Sequence, residues 1–508
     1  MTPAIQPQVI AKVYNRRTQL LCPPEILERL KELLRYHPPN YRFMPLYKEG
    51  IYDENGTFVR VWDGYINCIH RGTVATGLFL DKHPEIERMF PLLVDDRRTL
   101  PTFREISIDG ARPFQLEAVS AMQAASNTGG LIVSATGSGK TLIAGMYFKR
   151  LVGTACFVVD ELSLLAQSKD ALEKFLGERV GIVGKSLFEP KRITCATIQT
   201  LHRHRNNAHF KRWMRSLEVI IIDEVHVAIN KRNIDVVRMV KPKAVFGLTA
   251  TLELQKEHIY FPVVALTGPV IYRYSITKGV EQGYLSEGVA CCVEYRDRLQ
   301  GIAPCYTATV REKGVTKSVV IAAGSPAAEY RYRIVLNKER NDCIEALVRA
   351  GLEHKRKIVL LLEQKAHIRV LAKRLHDVPH AIASGSVDTE DRRKAMRLMD
   401  AGKLDLIIAS RVFGKGVDVA AVDMIVDGTA LTSRNNSIQR YGRGVRLQQG
   451  KNGLLYFDIQ DSGNLFQDAA YNRRAALHTV ATATLDCVWR RNASKIIQRA
   501  LQALSRID

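Results

Sequence analysis

The sequence predicts an α/β protein with two tandem parallel-sheet domains, preceded by a small α+β domain. The length of 508 residues corresponds to about three domains at roughly 150 residues each. From residue 101 onward, short apolar runs alternate with helical patterns, which is typical of parallel sheets with crossover helices. Apolar residues make up 46% and charged residues 25%, so the composition excludes a disordered or fibrous chain.

Residues 1–100 are predicted to form the small α+β domain. Apolar residues at helical spacing predict a helix from Pro24 to Tyr36. Short strands are predicted at residues 41–47, 58–62 and 65–69, with turns at Asn55-Gly56 and Asp63-Gly64. Lys and Arg number 14 here against 12 Asp and Glu, so the nearly balanced charge of this region does not indicate what it binds.

Two series of buried strands place the larger domains at residues 101–275 and 341–470. The predicted strands lie at residues 131–134, 155–159, 193–197, 219–222 and 244–248, and then at 358–362, 380–383, 404–409 and 424–426. Residues 276–340 contain polar and glycine breaks and are predicted to connect the two domains. Residues 471–508 hold seven Lys and Arg against two Asp and are predicted to form a basic helical tail.

The charge of the chain indicates a polyanionic partner. Lys and Arg number 74 against 52 Asp and Glu, a formal charge of +22, which favours nucleic acid before a membrane. The alternative is a basic protein whose surface charge is scattered. No protein partner is indicated.

The cysteines predict a reducing compartment. Nine are scattered along the chain without a C-x-x-C pair, which leaves no common zinc motif. Their odd number and the absence of a signal peptide predict a cytoplasmic protein. No apolar run approaches the ~20 residues that cross a bilayer, so we expect a soluble protein without a membrane partner.

A phosphate-binding loop is predicted between an apolar strand and a helix, in the run Ser134-Ala-Thr-Gly-Ser-Gly-Lys-Thr141. Its glycines let backbone N–H groups approach phosphates, and the helix N-terminus favours negative charge. Lys140 is expected to reach the β- and γ-phosphates of ATP, and the Thr141 hydroxyl to hold Mg²⁺. Ser134 stands where Gly or Ala is usual, and it is small enough to be tolerated. The expected nucleotide contacts are Thr136, Gly137, Ser138, Gly139, Lys140 and Thr141.

An acidic pair follows the apolar strand at residues 219–222, in the run Asp223-Glu224-Val-His226. Carboxylates at the C-terminal end of a parallel strand face the ligand crevice. Asp223 is expected to hold Mg²⁺, and Glu224 to orient and deprotonate the attacking water. Taken by itself, this pair has an alternative interpretation, in which Asp223 is a helix N-cap and Glu224 is an acidic residue that follows it.

With further motifs, these residues resemble the superfamily-2 helicases over about residues 109–450. Arg112-Pro-Phe-Gln115 resembles the adenine-recognition motif, in which Arg112 and Gln115 contact the base, and His226 belongs to the ATP site. Gly247-Leu-Thr-Ala-Thr251 resembles the motif that couples hydrolysis to nucleic-acid movement, through Thr249, Ala250 and Thr251, although Leu252 stands where proline often follows. The resemblance implies two RecA-like domains and an ATP-dependent helicase.

The second block carries two more matches. Gly414-Lys-Gly416-Val-Asp418 is similar to motif V, and Gln439-Arg-Tyr-Gly-Arg443-Gly-Val-Arg446 is similar to motif VI. The resemblance implies that Gly416, Asp418 and Gln439 contact ATP. It also implies that Arg443 and Arg446 are arginine fingers on the γ-phosphate, a role that can increase the rate by about 10³–10⁵.

The resemblance also implies nucleic-acid contacts that bind phosphates without reading sequence. Serine and threonine after strands are at least as typical of helix caps, so both interpretations stay open. The expected contacts are Gln167, Thr197, Gln199, Ser384 beside Gly385, Ser410 and Arg411. His202, His204 and His209 alternate with arginines at no metal-binding spacing, which indicates a solvated basic loop.

The motifs resemble the DNA-acting branches, including XPB-like and type I/III restriction translocases, more than DEAD-box RNA helicases. The runs at 41–47, 61–65 and 384–392 resemble the phage UvsW-type helicases. That resemblance implies a helicase that remodels forks, Holliday junctions and R-loops in recombination, repair or replication. Its partners would be branched or single-stranded/duplex DNA, with RNA–DNA hybrid as a further candidate.

Two other functions stay open: a duplex-DNA translocase that does not separate strands, and a strand-annealing or DNA-binding protein that ATP only switches. The N-terminal domain also has two interpretations. Trp62 and the tyrosines are either its hydrophobic core or part of a surface that grips a duplex or junction.

Overall fold

The computed structural model describes residues 7–52, 58–228, 231–250, 256–299, 301–312, 315–384, 389–410, 421–448, 450–463 and 465–507. The chain forms two compact units, Met1–Tyr274 and Ser275–Asp508. No helix in the described ranges is long and apolar enough to cross a membrane.

The first unit begins with a small α+β module. A four-stranded sheet in the order β7-β2-β1-β8 packs beside helices, and the pairs β3–β6 and β4–β5 form two short antiparallel ribbons. The elements are β1 (Val9–Val13), β2 (Arg17–Leu21), α1 (Pro24–Leu33), β3 (Arg35–Tyr36), α2 (Pro45–Lys48), β4 (Gly50–Tyr52), β5 (Phe58–Arg60), β6 (Ile66–Asn67), β7 (Thr73–Ala75), α3 (Thr76–Met89) and β8 (Leu92–Asp96).

The strand predicted at residues 41–47 is wrong. Tyr41–Phe43 forms a 3₁₀ turn and α2 follows it, with Pro45 at the first helical position, where the fixed φ of proline suits a helix start. The turn predicted at Asn55-Gly56 lies outside the described residues.

An eight-stranded sheet forms the rest of the first unit, in the order β12-β11-β13-β10-β14-β15-β9-β16. Every neighbouring pair is parallel except β11–β12. The five strands predicted here are confirmed, while β11, β12 and β16 were not predicted. The elements are α4 (Pro113–Ala124), β9 (Gly129–Ser134), α5 (Lys140–Arg150), β10 (Ala155–Val159), α6 (Leu162–Leu176), β11 (Gly181–Gly184), β12 (Leu187–Glu189), β13 (Ile193–Thr197), α7 (Ile198–Arg203), α8 (Ala208–Ser216), β14 (Val219–Asp223), α9 (Val225–Ala228), α10 (Lys231–Val240), β15 (Ala244–Thr249), α11 (Glu257–Thr267) and β16 (Val270–Tyr274).

The small module is joined tightly to this sheet domain. The Arg16 guanidinium donates to the backbone oxygens of Thr128, at 2.7 Å, and of Leu266. Helices α3 and α11 approach so closely that a Cβ on Gly77 would lie 2.0 Å from the Val264 oxygen, so only glycine fits there. The module and the sheet domain therefore form one body.

The second unit contains a seven-stranded, entirely parallel sheet in the order β21-β22-β20-β23-β24-β17-β25. The elements are α12 (Ile276–Glu281), β17 (Gly288–Glu294), β18 (Tyr306–Glu312), β19 (Val315–Ile321), α13 (Pro326–Tyr330), α14 (Lys338–Glu353), β20 (Ile358–Leu361), α15 (Lys365–Arg374), β21 (Ala381–Ala383), α16 (Thr389–Asp400), β22 (Leu406–Ala409), β23 (Met424–Asp427), α17 (Arg434–Gly444), β24 (Leu454–Gln460), α18 (Gln467–His478), β25 (Ala483–Val488) and α19 (Ala493–Leu504).

The four strands predicted in this unit are confirmed, but its flanks differ from the prediction. The region predicted as a connection contributes β17 to the sheet, and the tail predicted as helical contributes β25 beside it. Both strands gain a full ladder of backbone hydrogen bonds only by pairing with segments far away in sequence, which local patterns do not reveal.

Candidate active site

Three neighbouring strands of the first unit bring the predicted catalytic motifs together. Strand β15 pairs in parallel with β14 on one side and with β9 on the other. Because parallel strands end at the same edge of a sheet, the phosphate-binding loop after β9, the acids after β14 and Thr249 at the end of β15 meet there.

The phosphate-binding loop has the backbone that its glycines predict. Gly137 and Gly139 have φ values of 89° and 83°, in the left-handed region that suits glycine. The Ser134 hydroxyl donates to the Ser138 hydroxyl at 2.7 Å, so the serine that replaces Gly or Ala connects the two sides of the loop. Lys140 begins α5, and its ammonium lies 3.5 Å from the backbone carbonyl oxygen of Ser134.

A buried hydroxyl in this loop fits a phosphate ligand. Thr136 is 7% exposed, and its Oγ1 has no hydrogen-bond partner among the described residues. Buried polar atoms without a partner are costly and usually mark a ligand or water position. With the left-handed glycines and the Lys140 ammonium, this hydroxyl is suited to the phosphates of ATP.

Gln115 connects α4 to the phosphate-binding loop. Its Oε1 accepts from the Arg112 N–H at 3.1 Å, and its Nε2 donates to the Ser138 oxygen at 3.0 Å. A Cβ on Gly139 would lie 2.9 Å from Gln115 Nε2, so this glycine also makes room for the amide. Gln115 therefore supports the loop in addition to its expected contact with adenine.

Three side chains converge on the Glu224 carboxylate. Glu224 Oε1 lies 3.6 Å from the Lys140 ammonium, and Oε2 accepts from the Thr249 hydroxyl at 3.4 Å. His226 Nδ1 lies 2.9 Å from Thr249 Oγ1 and 3.6 Å from Glu224 Oε2. The Glu224 N–H donates to Asp223 Oδ1 at 3.1 Å. Three motifs that are distant in sequence thus share one hydrogen-bonded cluster.

Glu224 also has an unusual backbone. Its φ of 45° lies in the left-handed region, where a residue other than glycine is strained. Such strain persists only where the surroundings enforce it, and it is concentrated at functional sites. Ala250, which follows Thr249, is described, whereas Thr251 lies outside the described residues.

A cavity of about 970 Å³ lies beside the ends of β10 and β13, on the other half of the same sheet. Gln199 Nε2 donates to the Asp160 backbone oxygen at 2.8 Å and to its carboxylate at 2.9 Å. The Thr197 and Thr200 hydroxyls lie 2.8 Å apart. Gln167 is exposed on α6. The cavity is lined by Asp160, Glu161, Leu162, Lys185, Ser186, Leu187, Phe188, Thr197, Gln199, Thr200, Arg203, His204, Asn207, His209 and Phe210.

The histidine-rich segment borders this cavity. The sequence indicates a loop, but His202 and Arg203 end α7, and His209 lies in α8. Residues 204–207 form the turn between them, and the Asn207 side chain caps α8 by accepting from the Phe210 N–H. The segment therefore places basic side chains at the rim of a concave surface.

In the second unit, Asp427 fixes the helix that carries the predicted arginine fingers. Its Oδ2 accepts from Arg440 Nη1 at 2.7 Å and from the Tyr456 hydroxyl at 2.6 Å, and Thr429 donates to its Oδ1. Burial alone would raise the pKa of Asp427. The charge of Arg440 and the hydrogen bonds from Thr429 and Tyr456 outweigh it, so this pKa lies below its ordinary value.

The predicted finger residues lie at the C-terminal end of this helix. Gln439 and Arg443 belong to α17, and Arg446 follows it, where it bridges to Leu285 through the backbone. All three side chains are half-buried. Arg440 was not among the predicted site residues, although it stands beside Gln439 in the same motif.

The remaining predicted contacts of the second unit are only partly described. Ser384 and Ser410 are both buried, and the part of the chain that the structure describes offers the Ser410 hydroxyl no hydrogen-bond partner. Gly385, Arg411, Gly416 and Asp418 lie outside the described residues.

Two family models match the chain and together cover about half of it. "Type III restriction enzyme, res subunit" matches residues 109–254, and "Helicase conserved C-terminal domain" matches residues 339–448. The chain belongs to the superfamily-2 helicases. This confirms the family indicated by the motifs, and with it an ATP-dependent helicase enzyme.

Several known proteins are similar to this helicase. The DNA 3'-5' translocase XPB2 of Sulfurisphaera tokodaii is 24% identical over 405 residues, which cover 74% of this chain and 86% of that protein. Among solved structures, an HsdR-subunit fragment of a type I restriction enzyme from Vibrio vulnificus has a TM-score of 0.54 at 18% identity, over 76% of this chain and 70% of that one. The crystal structure of T4 UvsW matches with a TM-score of 0.44 at 15% identity, over 96% of this chain and 100% of that one.

Proposed function

We propose that this helicase hydrolyses ATP to unwind or remodel branched DNA, including forks, Holliday junctions and R-loops. The observation that supports the motor most directly is the cluster of Lys140, Glu224, His226 and Thr249. DNA as the track is supported by the charge of +22 and by the similarity to a protein named as a DNA translocase. Recombination, repair or replication would supply such substrates.

In the proposed reaction, Lys140 and the loop amides hold the phosphates of ATP, while Arg112 and Gln115 contact adenine. Glu224 orients and deprotonates the attacking water, and Arg443 and Arg446 stabilise the charge on the transferring phosphoryl group. Thr141 and Asp223 would hold Mg²⁺. The bound ion would neutralise charge on the β- and γ-phosphates.

The Thr249 hydroxyl is the proposed link between hydrolysis and movement. It contacts both Glu224 and His226, and it belongs to the motif that the family uses for coupling. When Glu224 exchanges its present partners for water at the γ-phosphate, the bond from Thr249 must rearrange. Each change of nucleotide state would therefore alter the end of β15.

The cavity beside Thr197 and Gln199 is the proposed part of the DNA track in the first unit. Its amide and hydroxyl groups suit phosphate oxygens, and Lys185 and Arg203 supply positive charge. Contacts with the backbone would give binding that does not depend on sequence and falls steeply with salt.

The test is the ATPase rate without nucleic acid and with single-stranded DNA, duplex, forked DNA, a four-way junction or RNA, for the wild type and for Glu224→Gln. Strong stimulation by branched DNA that the substitution abolishes supports the proposal. Stimulation by RNA alone would contradict it. Strand annealing that is unchanged in Lys140→Ala would favour a protein that ATP only switches.

A duplex translocase that does not separate strands is the second candidate, favoured by the similarity to XPB2 and by the fold shared with the HsdR fragment. Displacement of a labelled strand from a fork, compared with displacement of a third strand from a triplex, separates the two functions. A translocase would release the triplex strand and leave the fork intact.

A further inference from the structure

Seven aromatic or histidine rings gather in one small part of the N-terminal module, residues 35–50 and 60–67, which we call the aromatic lobe. None of these seven rings is buried. They therefore do not form a closed hydrophobic core, which was one of the two interpretations of the sequence. They are Tyr36, His37, Tyr41, Phe43, Tyr47, Trp62 and Tyr65.

The rings are held by stacking on one another. The His37 ring lies between Tyr65, at a centroid distance of 3.7 Å, and Tyr41, at 4.0 Å. The Arg35 guanidinium covers the Tyr65 ring at 4.1 Å, and that of Arg42 lies over the Tyr41 ring at 5.7 Å. This row of rings and guanidinium groups orders the lobe without burying it.

Beside this row, the lobe exposes large apolar side chains. Phe43 is 75% exposed, Val61 66% and Leu46 56%. Exposed apolar side chains mark a binding site where they form one contiguous patch. The Lys48 ammonium lies 5.9 Å above the Phe43 ring, and Arg60 lies 4.6 Å above the Tyr47 ring.

The charge of the lobe indicates the kind of partner. Its described ranges hold four Lys and Arg, at residues 35, 42, 48 and 60, against two acids, at residues 49 and 63. Sites for single-stranded nucleic acid combine a cationic groove with aromatic rings on which bases stack. The lobe combines exposed rings with an excess of positive charge, which is complementary to the phosphates of nucleic acid.

We propose that the aromatic lobe binds unpaired DNA bases at a fork or junction, with Phe43 as the ring on which a base stacks. This inference rests on the proposed action on DNA and specifies which part of the DNA the module binds. A duplex covers the faces of its bases, so Phe43 reaches one only in an unpaired strand or at a duplex end.

The lobe is also fixed to the ATP-binding domain. Tyr36 packs against Phe261 of α11 at a ring distance of 5.6 Å, and Arg16 and Gly77 join the rest of the module to the same domain. A base held by Phe43 would therefore move with the domain that binds ATP.

The experiment compares the dissociation constants of wild type, Phe43→Ala and Phe43→Trp for a fork with single-stranded arms and for a closed circular duplex, which has neither unpaired strands nor ends. Stacking on one aromatic ring gives an expected weakening of about five- to a hundred-fold for the fork in Phe43→Ala. Binding to the circular duplex should change by less than about two-fold, and Phe43→Trp should restore the fork affinity.

Salt dependence separates the stacking contact from the charges around it. Phe43→Ala should weaken fork binding without changing the slope of log Kd against log salt. Lys48→Ala should lower that slope by about 0.7, because one phosphate contact on a single strand is lost. An equal change of slope in both variants would overturn the stacking role of Phe43.

Leu93→Ala is the matched control, since this side chain of β8 is 51% exposed in the same module. The Leu93→Ala variant should bind the fork and the duplex with the affinities of the wild type. The inference is overturned if Phe43→Ala binds the fork normally, which would leave the surface to a protein partner, or if it loses fork and duplex affinity equally. If no DNA stimulates the wild-type ATPase, the proposed function itself fails, whatever the result at Phe43.

Discussion

The catalytic cluster of the first unit and the arginine-bearing helix of the second are built from similar residues in opposite ways. Around Glu224 the contacts are long, 3.6 Å to Lys140 and 3.4 Å to Thr249, and the backbone is strained. Around Asp427 they are short and buried, at 2.7 Å to Arg440 and 2.6 Å to Tyr456. The side chains that would exchange partners in the proposed reaction are held loosely, whereas those that orient the helix are held firmly.

The largest effect is expected at Arg443, the proposed finger on the firmly held helix. Arg443→Ala should lower the DNA-stimulated kcat for ATP by about 10³-fold or more, because charge on the transferring phosphoryl group loses its partner. Steady-state ATPase assays measure this. Arg434→Ala, at the exposed start of the same helix, is the control. A loss of less than about ten-fold would remove Arg443 from the mechanism.

Glu224→Gln should lower kcat by about 10²–10⁴-fold, because the water loses its general base. Binding of a fluorescent ATP analogue should persist, which separates the chemical step from binding. Glu257→Gln, an exposed carboxylate at the start of α11, should leave both measurements unchanged. Failure of the Glu224 variant to bind the analogue would indicate that this residue is needed to form the ATP site.

Asp427→Asn tests the short, buried contacts around Asp427 through the stability of the folded chain. Removing the charge leaves buried Arg440 without its counter-ion, with an expected loss of about 3–5 kcal/mol in the free energy of unfolding. Urea unfolding of the full chain measures it. Asp377→Asn breaks an exposed pair with Arg349 and should lower the free energy of unfolding far less, because water screens that pair. Equal losses would mean that burial does not distinguish the two pairs.

The smallest effect is expected at Ser134, which departs from the usual residue of the phosphate-binding loop. Ser134→Ala removes the 2.7 Å bond to Ser138, and the expected loss is about 0.5–1.5 kcal/mol of stability. A thermal melt and the KM for ATP report on it. Abolished ATP binding would show that this hydroxyl has a direct role with the nucleotide.

Much of the central fold was predictable because apolar runs bounded by helical patterns depend on local sequence. The strands that carry the catalytic motifs, β9, β14 and β15, are of this kind. Strands β17 and β25 were not predictable, because each is recognised by its long-range pairing and not by its own pattern. At residues 41–47 a short aromatic and apolar run indicated a strand, and the proline at 45 favoured a helix instead.

The candidate site also contains features that the local sequence predicts and features that it does not. The types and spacing of Lys140, Asp223 and Glu224 indicate their chemistry, and the order of neighbouring strands brings them together. The pairing of Arg440 with Asp427 joins residues 13 apart on a helix and a strand, and neither residue type alone signals it. The left-handed backbone of Glu224 likewise has no signature in the sequence.

The attachment of the N-terminal module has a consequence for how this protein can be divided. A chain shortened to begin near residue 100 would lose the Arg16 donor to the Thr128 and Leu266 carbonyls, and it would uncover the face of α11 against which Gly77 packs. Newly exposed apolar surface promotes aggregation. A separate fragment is therefore best produced by ending the chain near residue 274. The N-terminal module and the ATP-binding domain would have to be expressed together, and transferred together into any chimeric protein.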